Sequence, residues 1–282
     1  MTGWFEESLH LGFRSRFGIE RVLYETRTGH QHLIIFDSPE FGRVLALDGV
    51  VQTTERDEFI YHEMLAHTPI LAHGAVRSVL IVGGGDGGML EEVLKHRSVE
   101  SVVQVEIDDT VVELSKQYLR AICADAYEDP RTELVIADGV EFVNEVDRRF
   151  DVIIVDSTDP IGPGEVLFGK KFYGGCKRCL TEDGILVTQN GVPFVQGKEL
   201  RETLSVFRQL FRSATCYRAG VPAYIGGDMT FGWGSEEYAH AEIDSETLRS
   251  RFVASGIVTD YYTPDVHKGA FALPPYIDRL MN

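Results

Sequence analysis

Acidic residues stand at or just after the ends of four apolar runs that the sequence predicts to be strands. Asp86 lies in a glycine-rich loop, and Glu106, Asp138 and Asp156 end the next three runs. Because ligands of an open α/β sheet bind beyond the carboxyl ends of its strands, we expect these side chains to face one pocket. Clustered carboxylates attract cations, and a carboxylate can take a proton from an amine. The spacing therefore indicates a site for a positively charged ligand.

The glycine-rich loop contains a residue that a phosphate site would not favour. It reads GGGDGG, in which Gly83, Gly85 and Gly88 match G-x-G-x-x-G between a predicted strand and a predicted helix. This order is typical of the nucleotide-binding unit of an α/β sheet. A carboxylate at Asp86 would repel a pyrophosphate held by the loop amides. The loop therefore predicts a cationic ligand rather than a phosphate.

Glu106 and Asp138 each have more than one possible role. Glu106 stands near the position where an acidic side chain binds the ribose hydroxyls of a nucleoside, although helix capping or exposure to solvent would also explain it. Asp138 precedes Gly139 at a strand-to-helix turn, where capping the next helix is an equally good explanation.

The segment 156–164, DSTDPIGPG, presents two aspartates on a stiff backbone. Its two prolines and two glycines restrict the chain. An Asx-type turn would account for Asp156 or Asp159, but not for both. Since rigid loops at strand ends often carry catalytic groups, we interpret this segment as a catalytic loop.

The overall charge excludes some classes of partner. With a net charge of −17 over 282 residues, the chain would repel nucleic acid and anionic membranes and attract small cations. Solubility alone would also explain the charge. No apolar run approaches the length of a membrane span, and the first residues lack the basic start of a signal peptide. We expect a soluble, cytoplasmic protein of one large domain or two unequal ones.

Cysteine and histidine spacings do not predict a disulfide framework or a metal site. Cys176 and Cys179 form a C-x-x-C late in a predicted helix, with no second pair to complete a zinc site. His62 and His67 are five positions apart, so on a helix they point about 140° away from each other. We expect structural thiols and no bound metal.

The order of predicted elements places the acidic residues in a parallel sheet. Residues 1–65 predict a small antiparallel sheet, with strands at 31–36, 43–47 and 50–54, and a helix follows at 57–67. From residue 78, five strands alternate with five helices; the strands are 78–82, 101–106, 132–136, 151–155 and 185–189, and the helices 89–95, 110–118, 140–146, 170–180 and 198–211. Such alternation indicates an α/β, doubly wound sheet. Strands at 214–219 and 229–233 predict an antiparallel hairpin at its edge, and 244–254 predicts one more helix.

Six stretches together resemble spermidine synthases, which belong to the polyamine aminopropyltransferase family. They are LALDGVVQTTERDEFIYHEML (45–65), VLIVGGGDGG (79–88), VEID (105–108), ADG (137–139), DSTDPIGP (156–163) and VPAYIGG (221–227). They follow the family's order and cover most of the chain. The resemblance implies a class I methyltransferase-like (Rossmann-like) catalytic domain at residues 66–282, preceded by an N-terminal β-strand domain at 1–65.

The resemblance also implies roles for individual residues. Decarboxylated S-adenosylmethionine would be the co-substrate, bound by Gln31, Gln52, Gly83, Gly85, Asp86, Glu106, Asp138 and Gly139. Asp156 and Tyr61 would be catalytic, and the acceptor amine would contact His62, Asp86, Asp156, Asp159 and Tyr224. No metal and no permanently bound cofactor are expected. Because family members associate through the N-terminal part, we expect a homodimer or a homotetramer.

The implied reaction agrees with an acidic pocket, because both substrates are cations. One nitrogen of the acceptor, putrescine, must lose a proton before it attacks the carbon next to the sulfonium of the donor. Asp156 is the expected base, working with Tyr61 or a water molecule. Direct displacement would give spermidine and 5′-methylthioadenosine, with much of the rate coming from alignment of nitrogen, carbon and sulfur.

Three residues depart from the family pattern, and other functions remain open. Glu91 is expected on a helix surface, whereas Ala223 and Asp228 leave cadaverine, agmatine or spermidine as alternative acceptors unless Asp228 faces solvent. A methyltransferase would share the fold but leave the N-terminal β segment unexplained. A nicotinamide dehydrogenase would match the glycines but not Asp86. A non-enzymatic polyamine-binding or assembly module would leave Asp156 without a role.

Overall fold

The N-terminal part forms two small antiparallel sheets. The computed structural model describes residues 3–158 and 167–281. Strands β1 (Gly3–Glu6) and β2 (Arg16–Ile19) pair with each other, and a four-stranded sheet contains β3 (Arg21–Arg27), β4 (His32–Ser38), β5 (Gly42–Leu47) and β6 (Val50–Thr54). The predicted antiparallel sheet is confirmed by β4, β5 and β6. Strand β3 was not predicted. Most of its side chains are exposed, and its sequence therefore lacks a clear alternation of apolar and polar residues.

The predicted turn at Asp48 and Gly49 closes the hairpin between β5 and β6. Leu47 pairs with Val50, so the loop has two residues. Asp48 has a φ of 47° and Gly49 a φ of 81°. Two consecutive positive φ values match the type I′ turn, for which Asp-Gly is a favoured sequence.

Helix α1 (Glu58–His73) connects this part to the central sheet, and almost all of its side chains are buried. The predicted helix ended at residue 67, before Pro69, but the observed helix continues through this proline to Gly74, whose φ is 79°. The burial of residues 68–73 stabilises the extra turns against the cost of an internal proline. Because α1 runs across residues 65 and 66, the domain division there stays a prediction.

The central sheet has seven strands in the described residues. Five are parallel: β7 (Ser78–Gly83), β8 (Ser101–Glu106), β9 (Thr132–Ile136), β10 (Phe150–Asp156) and β11 (Leu180–Gln189). Strands β12 (Ser213–Ala219) and β13 (Met229–Ser235) form the predicted antiparallel hairpin, in which β13 pairs with β11. The strand order is β9-β8-β7-β10-β11-β13-β12. From β7 the chain adds β8 and β9 on one side, and β10 and the later strands lie on the other, so the topological switch point is between β7 and β10. Ligands of such sheets bind at this point.

Helices cover both faces of the sheet. They are α2 (Gly88–Leu94), α3 (Asp109–Tyr118), α4 (Arg120–Cys123), α5 (Gly139–Glu145), α6 (Lys170–Cys179), α7 (Pro193–Leu210), α8 (Tyr238–Ala241), α9 (Ser245–Ser255), α10 (Pro264–Ala270) and α11 (Pro275–Met281). Helix α7 begins earlier than the predicted residue 198, with Pro193 in its first turn. Gln196 then breaks the helical geometry, so the predicted start lies just after a kink.

Alternate residues of β7 belong to separate apolar clusters. Val79 and Ile81 pack with α1 and α2, whereas Leu80 and Val82 pack in a second cluster with α5, α6 and α7. This alternation confirms the doubly wound arrangement. A third cluster joins β4 and β5 to α3 and α4, so the N-terminal sheet lies directly against the catalytic part.

All four cysteines are buried and free, as the sequence predicts. Burial raises the pKa of the Cys176 thiol well above its ordinary value, which disfavours a reactive thiolate. In residues 3–158 and 167–281, no group of histidine, cysteine or acidic side chains has a geometry that could hold a metal ion. None of the helices in these ranges combines the length and apolar character needed to cross a bilayer.

Candidate active site

A cavity of about 160 Å³ opens at the carboxyl ends of the parallel strands, against the N-terminal sheet. The structure brings all four predicted carboxylates to its wall, namely those of Asp86, Glu106, Asp138 and Asp156. Glu7 adds a fifth carboxylate from the N-terminal part. Among the described residues that line the cavity there is no lysine or arginine. The cavity is therefore strongly acidic and suits a cationic ligand.

The glycine loop allows the ends of β7 and β10 to approach each other closely. Gly83 has a φ of 88°, and a Cβ there would stand only 2.1 Å from the carbonyl oxygen of Asp156. The Gly84 amide donates to the same oxygen at 2.9 Å. Asp86 Oδ1 accepts from the Gly88 amide at 2.8 Å, which fixes its carboxylate at the start of α2. The glycines thus serve backbone packing, and Asp86 supplies the charge.

Asp156 and Tyr61 form a hydrogen-bonded pair in the wall of the cavity. The Tyr61 hydroxyl donates to Asp156 Oδ1 at 2.7 Å. Asp156 Oδ2 is buried and has no hydrogen-bond partner among the described residues. Burial raises the pKa of Asp156 to about 6, although the charge of His62 opposes the rise. Burial also raises the pKa of Tyr61, so the phenol is a neutral donor and the carboxylate is the proton acceptor of the pair.

Glu106 faces the cavity with one oxygen while the backbone holds the other. Its Oε1 accepts from the amides of Ile107 at 2.7 Å and Asp108 at 3.0 Å. Burial raises the pKa of Glu106 to about 7 despite these two donors. Helix α3 is capped by Asp108, which accepts from the Thr110 amide at 3.1 Å. Helix capping therefore does not explain Glu106, whose side chain is 8% exposed.

Asp138 caps the helix that follows it and also lies at the cavity wall. Its Oδ1 accepts from the amides of Val140 at 2.6 Å and Glu141 at 3.4 Å, which caps α5. The residue also lines the cavity together with Gly139. A Cβ at Gly139 would stand 2.6 Å from Val82 Cγ1, so only glycine fits this approach to β7.

Gln31, Gln52 and Tyr224 also reach the cavity, as the family resemblance implies. Gln31 Nε2 donates to Asp108 Oδ2 at 3.1 Å, beside the ribose-binding position proposed for Glu106. The Tyr224 hydroxyl donates to the carbonyl oxygen of Gln52 at 2.5 Å. These contacts tie both ends of the cavity to the N-terminal sheet.

Several residues of the cavity wall were not predicted. Leu9 and His10 lie between β1 and β2. The Val51 amide donates to Glu7 Oε1 at 3.1 Å, and this hydrogen bond attaches their segment to β6. No local sequence signal connects this segment to a pocket in the central sheet. Gln189, by contrast, could have been predicted. It ends a predicted parallel strand, and ligands bind beyond the carboxyl ends of such strands.

Two residues singled out from the sequence, His62 and Asp228, do not line the cavity. His62 is buried behind Asp86, with its side chain 2% exposed, and is not part of the cavity wall. Asp159 lies outside the described residues. Asp228 does not line the cavity and pairs with Arg218. The Ala223 amide donates to Asp57 Oδ2 at 2.6 Å, which anchors the segment that carries Tyr224.

Comparison with known proteins identifies the family. Residues 58–245, well over half of the chain, match the family model described as the spermine/spermidine synthase domain. The chain belongs to the spermine/spermidine synthase family. Residues 3–55 match a second model, described as the spermidine synthase tetramerisation domain.

Two relatives match the sequence of this chain over nearly its whole length. Polyamine aminopropyltransferase 1 from Pseudomonas aeruginosa is 59% identical over 273 residues, which are 97% of this chain and 96% of the relative. A polyamine aminopropyltransferase from Pseudomonas syringae pv. tomato is 57% identical over 278 residues, covering 99% of this chain and 97% of the relative.

Solved structures show the same fold. A spermidine synthase in complex with the transition-state analogue AdoDATO superposes with a TM-score of 0.93 at 37% identity, covering 99% of this chain and 95% of the other. Spermidine synthase from Thermotoga maritima gives a TM-score of 0.90 at 35% identity, with coverages of 99% and 94%. The predicted family, its Rossmann-like fold and its enzymatic class are confirmed: this family member is an aminopropyltransferase. This result favours aminopropyl transfer over the three other functions considered from the sequence.

Proposed function

We propose that this enzyme transfers the aminopropyl group of decarboxylated S-adenosylmethionine to putrescine, giving spermidine and 5′-methylthioadenosine. The observation that carries the proposal is Asp156 in the wall of the acidic cavity, where Tyr61 donates to its Oδ1 and its Oδ2 has no hydrogen-bond partner among the described residues.

The donor end of the cavity has groups that complement a cationic nucleoside. Glu106 is positioned for the ribose hydroxyls, and Gln31 and Asp138 lie nearby in the same wall. Asp86 supplies a carboxylate for the propylamine and for the positive charge of the sulfonium. Gly83, Gly85 and Gly139 let the wall pack closely, because a Cβ at these positions would collide with Asp156, Glu106 and Val82, respectively.

The acceptor end contains Tyr61, Tyr224 and Asp156, with Gln52 behind Tyr224. In the reaction, Asp156 takes a proton from one ammonium group of putrescine, and the freed lone pair attacks the carbon bonded to sulfur. The C–S bond breaks and its electrons return to sulfur, so the neutral thioether leaves while the new C–N bond forms. No group of the enzyme is consumed.

Putrescine is the simplest acceptor because the cavity offers no additional charge from Asp228. That residue pairs with Arg218 outside the cavity wall, so it does not add a free carboxylate for a longer amine. Ala223 is buried and contacts Asp57 through its amide, which any residue type except proline could do. Neither departure from the family pattern requires a different acceptor.

We also propose a homo-oligomer formed through the N-terminal part. Support comes from the match of residues 3–55 to the tetramerisation domain model. Trp4 is 57% exposed and Tyr24 is 39% exposed in the isolated chain, which leaves apolar area for a second copy.

A competition assay tests the proposed reaction. The enzyme receives equal concentrations of deuterium-labelled putrescine and unlabelled cadaverine, agmatine and spermidine with decarboxylated donor, and mass spectrometry distinguishes newly formed, labelled spermidine from the spermidine that was added. We expect spermidine and 5′-methylthioadenosine to form first and in equal amounts. A different preferred amine would replace putrescine as the acceptor. Methyl transfer from intact S-adenosylmethionine, without aminopropyl transfer, would contradict the reaction itself.

A further inference from the structure

Asp57 immediately precedes α1, at the position where an aspartate commonly caps a helix. In the described part of the chain, however, its carboxylate accepts from no amide of the first turn of α1. The residue is 4% exposed. Its Oδ1 accepts from the Thr54 hydroxyl at 2.6 Å, and its Oδ2 accepts from the Ala223 amide at 2.6 Å. This buried carboxylate therefore joins the end of β6 to the loop between β12 and β13.

The Ala223 amide is free to reach Asp57 because of the turn in which it lies. The Tyr224 amide donates to the Val221 carbonyl oxygen at 3.1 Å, so residues 221–224 form a β-turn with Pro222 and Ala223 at its centre. The amide of the second central residue takes no part in the hydrogen bond that closes such a turn. Ala223 is 1% exposed, so without Asp57 this amide would be buried and unpaired.

The turn also places Tyr224 at the acceptor end of the cavity. The Tyr224 ring packs edge to face on Tyr61, with centroids 5.8 Å apart at 83°, and its hydroxyl donates to the Gln52 carbonyl oxygen. Tyr61 in turn donates to Asp156. Next to Tyr224, Ala223 packs into an apolar cluster formed by β2, β4, β5 and β6. The anchored turn thus fixes the place of the Tyr224 ring relative to the proposed base.

We propose that Asp57 is a positioning residue for the acceptor amine. By holding the Ala223 amide, it keeps Tyr224 in a fixed place beside Tyr61. A diamine bound along this wall then lies with one nitrogen near Asp156. The inference rests on the proposed function, because it takes Asp156 as the base. As far as the described residues define the cavity, Asp57 does not line it, so its action passes through the turn.

Asp57→Ala tests the inference by leaving the Ala223 amide without an acceptor. We expect kcat/KM for putrescine to fall by about 10- to 100-fold, because misplaced positioning groups cost up to about 100-fold in rate. The preference for putrescine over cadaverine, which is one methylene longer, should also shrink. The Kd of 5′-methylthioadenosine, measured by calorimetry, should stay within about twofold, because the nucleoside end keeps its contacts. An unchanged kcat/KM would overturn the inference, as would an equal loss of nucleoside affinity.

Asp57→Asn separates the contact from the charge. Its amide oxygen can accept from the Ala223 amide while its NH₂ group donates to the Thr54 hydroxyl oxygen. Since both links survive, we expect kcat/KM for putrescine within about threefold of the wild-type value. A loss as large as that of Asp57→Ala would overturn the inference, because holding the turn would then not be the function of Asp57.

Glu63→Gln is the matched control for a general loss of stability. Glu63 is also a buried carboxylate of the α1 region that accepts from backbone amides, but those amides belong to residues 260–262. We expect this variant to be less stable yet to keep the wild-type kcat/KM for putrescine and the same preference over cadaverine. Equal changes in Glu63→Gln and Asp57→Ala would overturn the inference.

Hydrogen exchange, followed by mass spectrometry on overlapping peptides, needs no turnover. In the wild-type enzyme we expect slow exchange at the Ala223 amide, and in Asp57→Ala faster exchange confined to residues 221–228. Fast exchange at Ala223 in the wild type would overturn the inference even if the variant failed to fold. If the proposed reaction fails but Asp57→Ala loosens this segment, only the proposed function is lost.

Discussion

The two carboxylate oxygens of Asp156 have different surroundings. Oδ1 accepts from Tyr61, whereas Oδ2 has no hydrogen-bond partner among the described residues, and we propose that Asp156 is the base. Asp156→Asn can keep an oxygen as acceptor for Tyr61 but cannot take a proton from an amine. We expect kcat to fall by about 10²- to 10⁴-fold, because general-base catalysis typically contributes that much. Single-turnover release of 5′-methylthioadenosine measures the loss.

Donor affinity supplies the control for this substitution. Calorimetric titration of Asp156→Asn with decarboxylated donor should give a Kd within a few-fold of wild type, because Glu106 and Asp138 remain at the nucleoside end. Near-normal turnover by Asp156→Asn would remove this residue from the mechanism. Loss of donor binding in step with kcat would instead indicate a damaged cavity.

At the residue scale, the sequence predicted the side chains that depend on strand ends. Asp86, Glu106 and Asp156 could be grouped because parallel strands end at one edge of a sheet. The contact between Glu58 and His62, four residues apart on α1, was not predicted, and the place of the His62 ring beside Asp86 depends on how α1 packs against the glycine loop. Contacts between separate elements are set by packing, which local spacing does not describe.

Helix α1 brings residues with different surroundings into adjacent positions. Tyr61 lines the cavity, His62 lies behind Asp86, and the next residue, Glu63, faces the C-terminal segment. The Glu63 carboxylate accepts from the amides of Asp260, Tyr261 and Tyr262 at 2.7, 2.9 and 2.6 Å. Because α1 is buried on all sides, it has no polar face that would have indicated these separate roles from the sequence.

Glu63→Gln should destabilise the protein through this contact. One amide oxygen cannot satisfy three backbone donors, and the side-chain NH₂ would face them. We expect a loss of about 3 kcal/mol in the free energy of unfolding, because buried donors left without partners and lost charged hydrogen bonds each cost about 1–3 kcal/mol. Urea denaturation measures the change. Glu113→Gln, at a side chain 70% exposed on α3, is the control, and equal stability of the two variants would contradict the role of Glu63.

At the scale of the whole molecule, alternation of strands and helices was sufficient to predict a doubly wound sheet. The individual contacts of the N-terminal part, such as Gln31 with Asp108 and Asp57 with Ala223, were not predictable from the sequence. These join residues far apart in the chain, and they close one side of the cavity. The acidic wall is therefore a property of two packed parts.

The net charge of −17 and the acidic cavity together predict a salt effect on substrate capture. Both proposed substrates are cations, and the Debye length falls from about 10 Å at 0.1 M salt to about 3 Å at 1 M. We expect kcat/KM for putrescine to fall several-fold as NaCl rises from about 50 mM to 500 mM, while kcat changes by less than about twofold. Initial rates over this range measure both parameters.

The neutral product 5′-methylthioadenosine is the matched control for that experiment. It occupies the nucleoside end without carrying the charge of the donor, so its inhibition constant should stay within about twofold over the same range of salt. If this constant rises as steeply as the KM for putrescine, salt is disturbing the cavity itself. In that case, long-range attraction by the acidic surface would not explain how the enzyme gathers its cationic substrates.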